Sequence, residues 1–291
     1  MTDSRTAHVA EASAASLDEV EDLVTVDAAE MRARKKRQTR WYRIGSVLLT
    51  LVLLGIWELL PRAGIMPEIV LPPFTTVAVA FWGLLQEGHF WGHLRVTLNE
   101  IFWGFVLGTL FGLFSGILLA VWQPLKRLTY SFVVGFQAIP KIVLAPLFIS
   151  WFGYGQSSKI VMAIVISFFP VLINTLVGLE SVPEDAVRLM RSLRSTRMQV
   201  FRKLSLPHAA PLIFAGIKTA LTFAVIGAIV GEFVGAQQGL GFLLNAYNFQ
   251  LRIDRVFSVI AILAGLGAVL YFLLEALDRR LIYWRTDVEQ R

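Results

Sequence analysis

Two sets of charged residues could carry chemistry in this sequence, because each interrupts a background of long apolar segments. The first is the carboxylate of Glu232, deep in an apolar segment that also holds Lys218. An ionisable group at such depth in a bilayer is costly and usually faces a cavity or a polar partner. The two charges are about 21 Å apart along a helix and cannot pair within it. We expect Glu232 either to line a translocation path or to make a buried structural hydrogen bond, and Lys218 to extend to the lipid headgroups.

The second set is a polar loop, residues 180–208, between two apolar segments. A basic loop of this kind can bind an acidic surface of a partner protein or the anionic lipids of a membrane. Its charged residues are six bases (Arg188, Arg191, Arg194, Arg197, Arg202 and Lys203) and three acids (Glu180, Glu184 and Asp185).

Local signals predict two short helices in this loop. Ser181 with Glu184, and Thr196 with Gln199, have the spacing of capping boxes. The turn between the helices is predicted at Leu193-Arg194-Ser195.

Enzymatic chemistry is poorly supported by the sequence. The four histidines (His8, His89, His93 and His208) lie outside the predicted membrane spans, and none has metal-ligand spacing with a carboxylate. The chain has no cysteine and no G-x-x-x-x-G-K-[ST] phosphate-binding loop. We therefore expect a protein that is not an enzyme and binds no cofactor or metal, with any ATP hydrolysis on another chain.

Six predicted membrane spans position these charges. Hydrophobic residues make up 56% of the chain, above the roughly 45–50% of soluble domains, and a span needs about 20 apolar residues. The predicted spans are 44–60, 101–122, a third within 128–158 that Ile139-Pro140-Lys141 interrupts, 160–179, 210–235 and 256–274.

The segment between the first two spans is predicted to lie outside. Leu71-Pro72-Pro73 predicts a break in it, and residues 75–98 predict a helix along the outer surface or in a small packed ectodomain.

The second span carries a regular glycine stripe. Gly104, Gly108, Gly112 and Gly116 recur at every fourth position and share one helix face. Small residues let membrane helices approach closely. The stripe predicts a tight helix-packing interface, within the bundle or with another subunit.

Basic residues predict the orientation. If the N-terminus is inside, inner segments hold nineteen lysines and arginines and outer segments hold five, as expected for cytoplasmic loops. Residues 1–43 are predicted to be a disordered, acidic and then basic cytoplasmic tail, and residues 286–291 a cytoplasmic C-terminal tail. The basic run of the first tail is interpreted as a membrane anchor, and nucleic-acid binding is not expected.

The order of several short motifs between residues 55 and 285 adds a family resemblance. They are Trp57-Glu58, Leu71-Pro72-Pro73, Thr97-Leu98, Ile139-Pro140, Ala145-Pro146-Leu147, Trp151-Phe152-Gly153, Gly155, the polar loop, Leu206-Pro207, Pro211, Gly216, Glu232 and Gly239-Leu240-Gly241. Taken together, they resemble the membrane subunit of bacterial ABC importers of the nitrate, sulfonate and taurine type.

The resemblance implies an all-α polytopic protein of the bacterial inner membrane, with the six-helix fold of type I ABC importer permeases over residues 44–285. It implies a second, identical permease subunit, two cytosolic ABC ATPase subunits, an extracytoplasmic solute-binding protein and contact with membrane lipid. The substrate would be a small organic anion or an oxyanion, such as a sulfonate, taurine or nitrate.

The resemblance also assigns roles to residues. The polar loop would insert into the ATPase, although Arg194 stands where the family usually has a glycine; arginine there would carry a steric cost or require another turn. The implied coupling residues are Asp185, Arg188, Leu189, Arg191, Ser192, Leu193, Arg194, Ser195, Leu206 and Pro207. The residues expected at the translocation path or gate are Pro140, Lys141, Pro146 and Glu232.

Two other functional classes are compatible with the sequence. A proton-coupled secondary transporter would use Glu232 as its deep carboxylate, although no inverted repeat is visible. A membrane scaffold would recruit partners through the polar loop and transport nothing.

Overall fold

The computed structural model describes residues 41–42 and 44–281, and the predicted tails lie outside them apart from 41–42. No strand occurs among the described residues. One compact unit ends at Pro67 and a second begins at Glu68. The first contains helix α1, Ile44–Arg62. The second contains α2 (Phe74–Gln86), α3 (Gly88–Val121), α4 (Gln123–Ala138), a 3₁₀ turn (Lys141–Leu144), α5 (Ala145–Phe152), α6 (Gln156–Glu180), α7 (Glu184–Ser192), α8 (Arg197–Val200), a π turn (Phe201–Ser205), α9 (Leu206–Gly235), α10 (Leu240–Phe249) and α11 (Ile253–Leu281).

The helices confirm the expectation of an all-α polytopic membrane protein. Within the described residues, five helices are long and apolar enough to cross a bilayer, or six if one bent pair counts as a single span. The bent pair is α4 with Lys141–Phe152, and its two parts meet at 86°. The break lies at Ile139-Pro140, where the sequence predicts an interruption, because proline cannot continue the hydrogen bonding of α4.

The predicted helix at 75–98 is wrong in its boundaries. The backbone is extended at Glu87 (φ −77°, ψ 119°), so α2 ends there and residues 88–98 belong to the long α3. The Glu87 carboxylate forms an ion pair with Arg255 of α11, with 2.8 Å between Glu87 Oε1 and Arg255 Nη2. This contact between distant parts of the chain accompanies the break and has no local sequence signal.

Helices α3, α6 and α9 form the centre of the second unit, and glycines set their separation. The four glycines of the predicted stripe face α6 of the same chain. A Cβ atom added at Gly112 would lie 2.7 Å from the Phe168 carbonyl oxygen, and one at Gly116 would lie 2.7 Å from the Thr175 Cβ atom. Both distances are too short for a real side chain, so larger residues would push the helices apart.

A second set of glycines, on α9, also faces α6. A Cβ atom at Gly227 would lie 2.7 Å from the Ala163 Cα atom, and one at Gly216 would lie 2.6 Å from the Asn174 Cβ atom. These glycines were not singled out from the sequence, although Gly227 and Gly231, which both face α6, are four residues apart. Together the two sets bring three backbones into a close bundle.

Candidate functional site

The polar loop forms a helical hairpin at one end of the bundle. Its second predicted capping box is present. The backbone amide of Gln199 donates to Thr196 Oγ1 at 3.3 Å, and the backbone amide of Thr196 donates to the side-chain oxygen Gln199 Oε1 at 2.7 Å. The first predicted box is wrong. Pro183 occupies the N-cap of α7 without a side-chain bond, and Ser181 Oγ instead donates to the Gly178 carbonyl at 2.9 Å. The connection from α6 to α7 is therefore not stabilised by a capping box.

The turn between α7 and α8 uses a left-handed residue, as a glycine would allow. Arg194 has φ 58°. Its amide donates to the Arg191 carbonyl at 2.9 Å, and the Ser195 amide donates to the Met190 carbonyl at 3.1 Å. This pair of bonds is a Schellman motif, which usually ends in glycine. The sequence left two alternatives for Arg194, a steric cost or another type of turn. The structure shows the first, because Arg194 adopts the left-handed conformation and carries its steric cost.

Around this turn, apolar side chains are exposed among charged ones. Leu189, Leu193 and Met198 are 62%, 68% and 63% exposed. Arg188 pairs with Glu184 at 3.0 Å on an exposed face. An apolar surface rimmed by charge is typical of a docking site. The other predicted residues are distributed as follows: Asp185, Arg191 and Ser192 are exposed on α7, Ser195 is half-buried in the turn, and Leu206 and Pro207 are exposed where α9 begins.

A cavity of about 540 Å³ lies at the bend between α4 and the 3₁₀ turn, against the middle of α6 and α9. Pro140 and Lys141 line it. Pro146 and Glu232 do not: Pro146 lies in the first turn of α5, and Glu232 is only 1% exposed. The structure therefore brings together only two of the four residues predicted at the path.

Glu232 instead anchors the turn between α9 and α10. Its Oε1 accepts from Thr97 Oγ1 at 2.6 Å, and its Oε2 accepts from the Gly241 amide at 2.6 Å. Thr97 Oγ1 in turn accepts from the Leu240 amide at 2.8 Å. Gly239 has φ 111°, which favours glycine, and lies directly against the carboxylate. The geometry of Glu232 is that of a buried structural acceptor.

Two further buried ionisable residues adjoin Glu232, and neither was singled out from the sequence. Glu100 and Lys159 are each 1% exposed, and the Glu100 carboxyl lies within hydrogen-bonding reach of Glu232. Lys159 Nζ donates to the carbonyls of Tyr154 and Gly235, both at 2.7 Å. Lys159 is one of the five bases that the sequence predicts on the outer side. Its burial depends on the approach of α9, which the sequence does not display.

The expectation that Lys218 reaches the lipid headgroups is wrong. Its ammonium pairs with Glu275 and Asp278 of α11. The Lys218 and Asp278 side chains are only 14% and 8% exposed. A basic residue inside an apolar helix pairs with acids on a neighbouring helix where one is available. Glu275 and Asp278, near the end of α11, are the sequence signal that could have predicted this pairing.

Comparison with known proteins adds a family to this geometry. Residues 108–283 match the family described as "Binding-protein-dependent transport system inner membrane component". The riboflavin transport system permease protein RibX of Chloroflexus aurantiacus is 33% identical over 92% of this chain and 100% of its own length. The putative aliphatic sulfonates transport permease protein SsuC of Bacillus subtilis is 31% identical over 90% of this chain and 95% of its own.

Among solved structures, an inward-facing form of the MetNI methionine ABC transporter contains a similar chain. It superposes with a TM-score of 0.54 and 26% sequence identity, covering 65% of this chain and 92% of the other. The likeness confirms the predicted fold of type I ABC importer permeases.

Proposed function

Because this chain belongs to the family of inner membrane components of binding-protein-dependent transport systems, we propose that it forms the translocation path of an ATP-driven importer together with a second, identical subunit. Two cytosolic ATPase subunits hydrolyse the ATP, and an extracytoplasmic binding protein delivers the solute. The family and its multi-pass inner-membrane character are the premise. The stoichiometry, the orientation and the residue roles are the proposal.

The proposed orientation puts both termini and the polar loop in the cytoplasm. It is supported by the nineteen basic residues on that side against five on the other. The turn between α9 and α10, which Glu232 holds, then lies near the outer surface. The binding protein docks on that outer surface.

The observation that carries the proposal is the exposed turn of the polar loop. Leu193 projects at its tip with 68% of its surface exposed, and arginines surround it. Anchors of this kind, apolar at the centre and charged at the rim, dominate binding energy at protein interfaces. The capping box and the Schellman motif make the hairpin stiff, and α9 continues from it without a gap. Movement of the ATPases is thereby transmitted to the membrane helices.

The proposed substrate is a small organic anion or an oxyanion. A relative named for aliphatic sulfonates supports an anion, whereas a relative named for riboflavin shows that the family's substrates vary. The proton-coupled alternative required Glu232 to face a path, but its two oxygens accept bonds from Thr97 and Gly241. No observation favours that alternative.

The proposal is tested by co-purifying the ATPase with two variants of the loop in detergent without anionic lipid. Leu193→Asp places a charge at the anchor and should reduce ATPase affinity at least thirtyfold, because truncating such an anchor removes more than about 2 kcal/mol. Arg197→Ala removes one rim charge and should cost about 0–1 kcal/mol. Both variants should insert and fold normally, since both residues are exposed.

The result also separates a protein partner from a lipid partner. If the loop binds lipid, losses should follow the number of bases removed, about 1 kcal/mol each, and Leu193→Asp should retain the ATPase. An intact complex with Leu193→Asp would contradict the proposal. ATP-dependent uptake into proteoliposomes that contain the wild-type complex is the matching functional measurement.

A further inference from the structure

We propose that the cavity at the bend after α4 is a binding site for a small organic monoanion, with Lys141 as the residue that selects its charge. The inference rests on the proposed importer function and specifies the substrate class within it. The solute has one anionic group and an apolar body. Inorganic oxyanions and neutral solutes bind to this cavity more weakly than such a monoanion.

The lining of the cavity determines which charge a ligand can carry there. Among its lining residues in the described part of the chain, Lys141 alone is charged. Lys141 is half-buried, and its Nζ atom donates to the Gln137 carbonyl at 3.2 Å. An ammonium has three donors, so two remain for a bound anion. No described carboxylate lines the cavity to neutralise this ammonium.

The position of the ammonium is set by its neighbours. Lys141 begins the 3₁₀ turn directly after Pro140, so the backbone bend delivers its side chain to the cavity wall. Its Nζ atom lies 4.8 Å from the centre of the Phe169 ring of α6. A cation over an aromatic face is attracted by the ring. The ring therefore holds the ammonium at the cavity while leaving its outer donors free.

The apolar lining defines the rest of the ligand. Most remaining lining residues are apolar, among them Ile166, Ile173, Phe223 and Ile226. A small, fully hydrated oxyanion would lose its water there with only one cation in return. An anion with an aliphatic or aromatic body keeps one charged contact and buries its apolar surface. A cavity of about 540 Å³ has the usual size for such ligands.

The test measures binding of radiolabelled benzenesulfonate to the purified permease–ATPase complex by equilibrium dialysis. The wild-type complex should bind the probe, and unlabelled benzenesulfonamide or inorganic sulfate should compete at least tenfold less well than unlabelled benzenesulfonate. Lys141→Gln should weaken probe binding at least tenfold, because a hydrogen bond to a charged group is lost. Lys141→Arg, which keeps the charge, should stay within about threefold of wild type. The matched control is Arg127→Gln, an exposed base outside the cavity, which should not change binding.

Assembly and basal ATP hydrolysis of each variant separate this inference from the proposed function. If the complex assembles and hydrolyses ATP but Lys141→Gln binds the probe like wild type, the site assignment is overturned while the importer stands. Equal competition by benzenesulfonamide, or no probe binding by the wild-type complex, would also overturn it. So would displacement of the probe by phosphatidylglycerol at equimolar concentration, because the occupant would then be a lipid. Loss of the ATPase from the wild-type preparation would instead contradict the proposed function.

Discussion

Replacing Glu232 with alanine and with glutamine should produce clearly different losses of stability. The carboxylate is 1% exposed and accepts bonds of 2.6 Å from Thr97 and from the Gly241 amide. Alanine leaves the buried Gly241 amide without an acceptor, at about 1–3 kcal/mol, and leaves the Thr97 hydroxyl only the His93 carbonyl at 3.3 Å, at about 1 kcal/mol, for a loss of roughly 2–4 kcal/mol.

Glutamine keeps the shape and one acceptor. Its carbonyl can accept from the Gly241 amide, while its NH₂ group faces Thr97 Oγ1. The Thr97 hydroxyl then turns to the His93 carbonyl, 3.3 Å away. The loss is confined to charge assistance and one weakened bond, about 1–2 kcal/mol. Alanine should therefore be less stable than glutamine by about 1–2 kcal/mol, because only alanine leaves the Gly241 amide unpaired.

The measurement is reversible unfolding in mixed detergent micelles, with a double-mutant cycle between Glu232→Gln and Thr97→Val. The two residues are in direct contact, so the cycle should give a coupling free energy of about 0.5–3 kcal/mol. Thr222→Val is the control, because its side chain is exposed and makes only a long bond of 3.5 Å within its own helix. It should change stability by less than about 0.5 kcal/mol.

Two outcomes would refute this reasoning about Glu232. One is an alanine variant as stable as the glutamine variant, because the two accepted bonds would then contribute nothing. The other is a glutamine variant with wild-type stability that no longer transports. That result would return Glu232 to the translocation path.

Three further changes test the packing of the bundle and of the hairpin. Gly108→Leu or Gly112→Leu should lower the yield of folded protein strongly, whereas Gly92→Leu, with open space around its backbone, should not; equal yields would place the stripe against lipid. Arg194→Gly should raise the stability of the hairpin by about 1 kcal/mol, because it relieves a left-handed residue, and slower amide exchange in α7 is the readout. Lys218→Met leaves two acids of α11 without their cation and should cost roughly 1–3 kcal/mol in unfolding measurements; unchanged stability would show that the ion pair contributes little.

Features that depend on short stretches of sequence were predicted well. Apolar runs located the spans, and Pro140 located the bend of the third. The capping box at Thr196 and the turn at Leu193-Arg194-Ser195 also lie where the sequence indicates. In each case the residues that cause the feature lie close together in the sequence.

Features that depend on contacts between distant helices were missed. Glu100 and Lys159 meet Glu232 only because α3, α6 and α9 converge. The extended backbone at Glu87 accompanies a pair with Arg255 of α11. The sequence left Glu232 open between a path residue and a buried structural acceptor, because its depth alone did not distinguish the two.

Of the four residues that the sequence analysis placed at the path, only two line the cavity, for a related reason. Pro140 and Lys141 carry a local break signal and do line it. Pro146 carries the same signal but is tolerated in the first turn of α5, where a missing amide hydrogen is harmless. A proline motif therefore locates a break without telling which proline faces the cavity.

The central claim, that the tip of the polar loop docks into a cytosolic ATPase, is tested most directly by cross-linking. The chain has no cysteine, so Leu193→Cys creates a unique thiol, and Phe249→Cys creates a matched one at a side chain that is 80% exposed at the other end of the bundle. A short thiol-to-amine cross-linker applied to membranes containing the whole complex should join the ATPase to position 193 and not to position 249. Labelling of position 193 by a membrane-impermeant reagent from outside intact spheroplasts, or cross-linking of the ATPase through position 249 alone, would contradict the account.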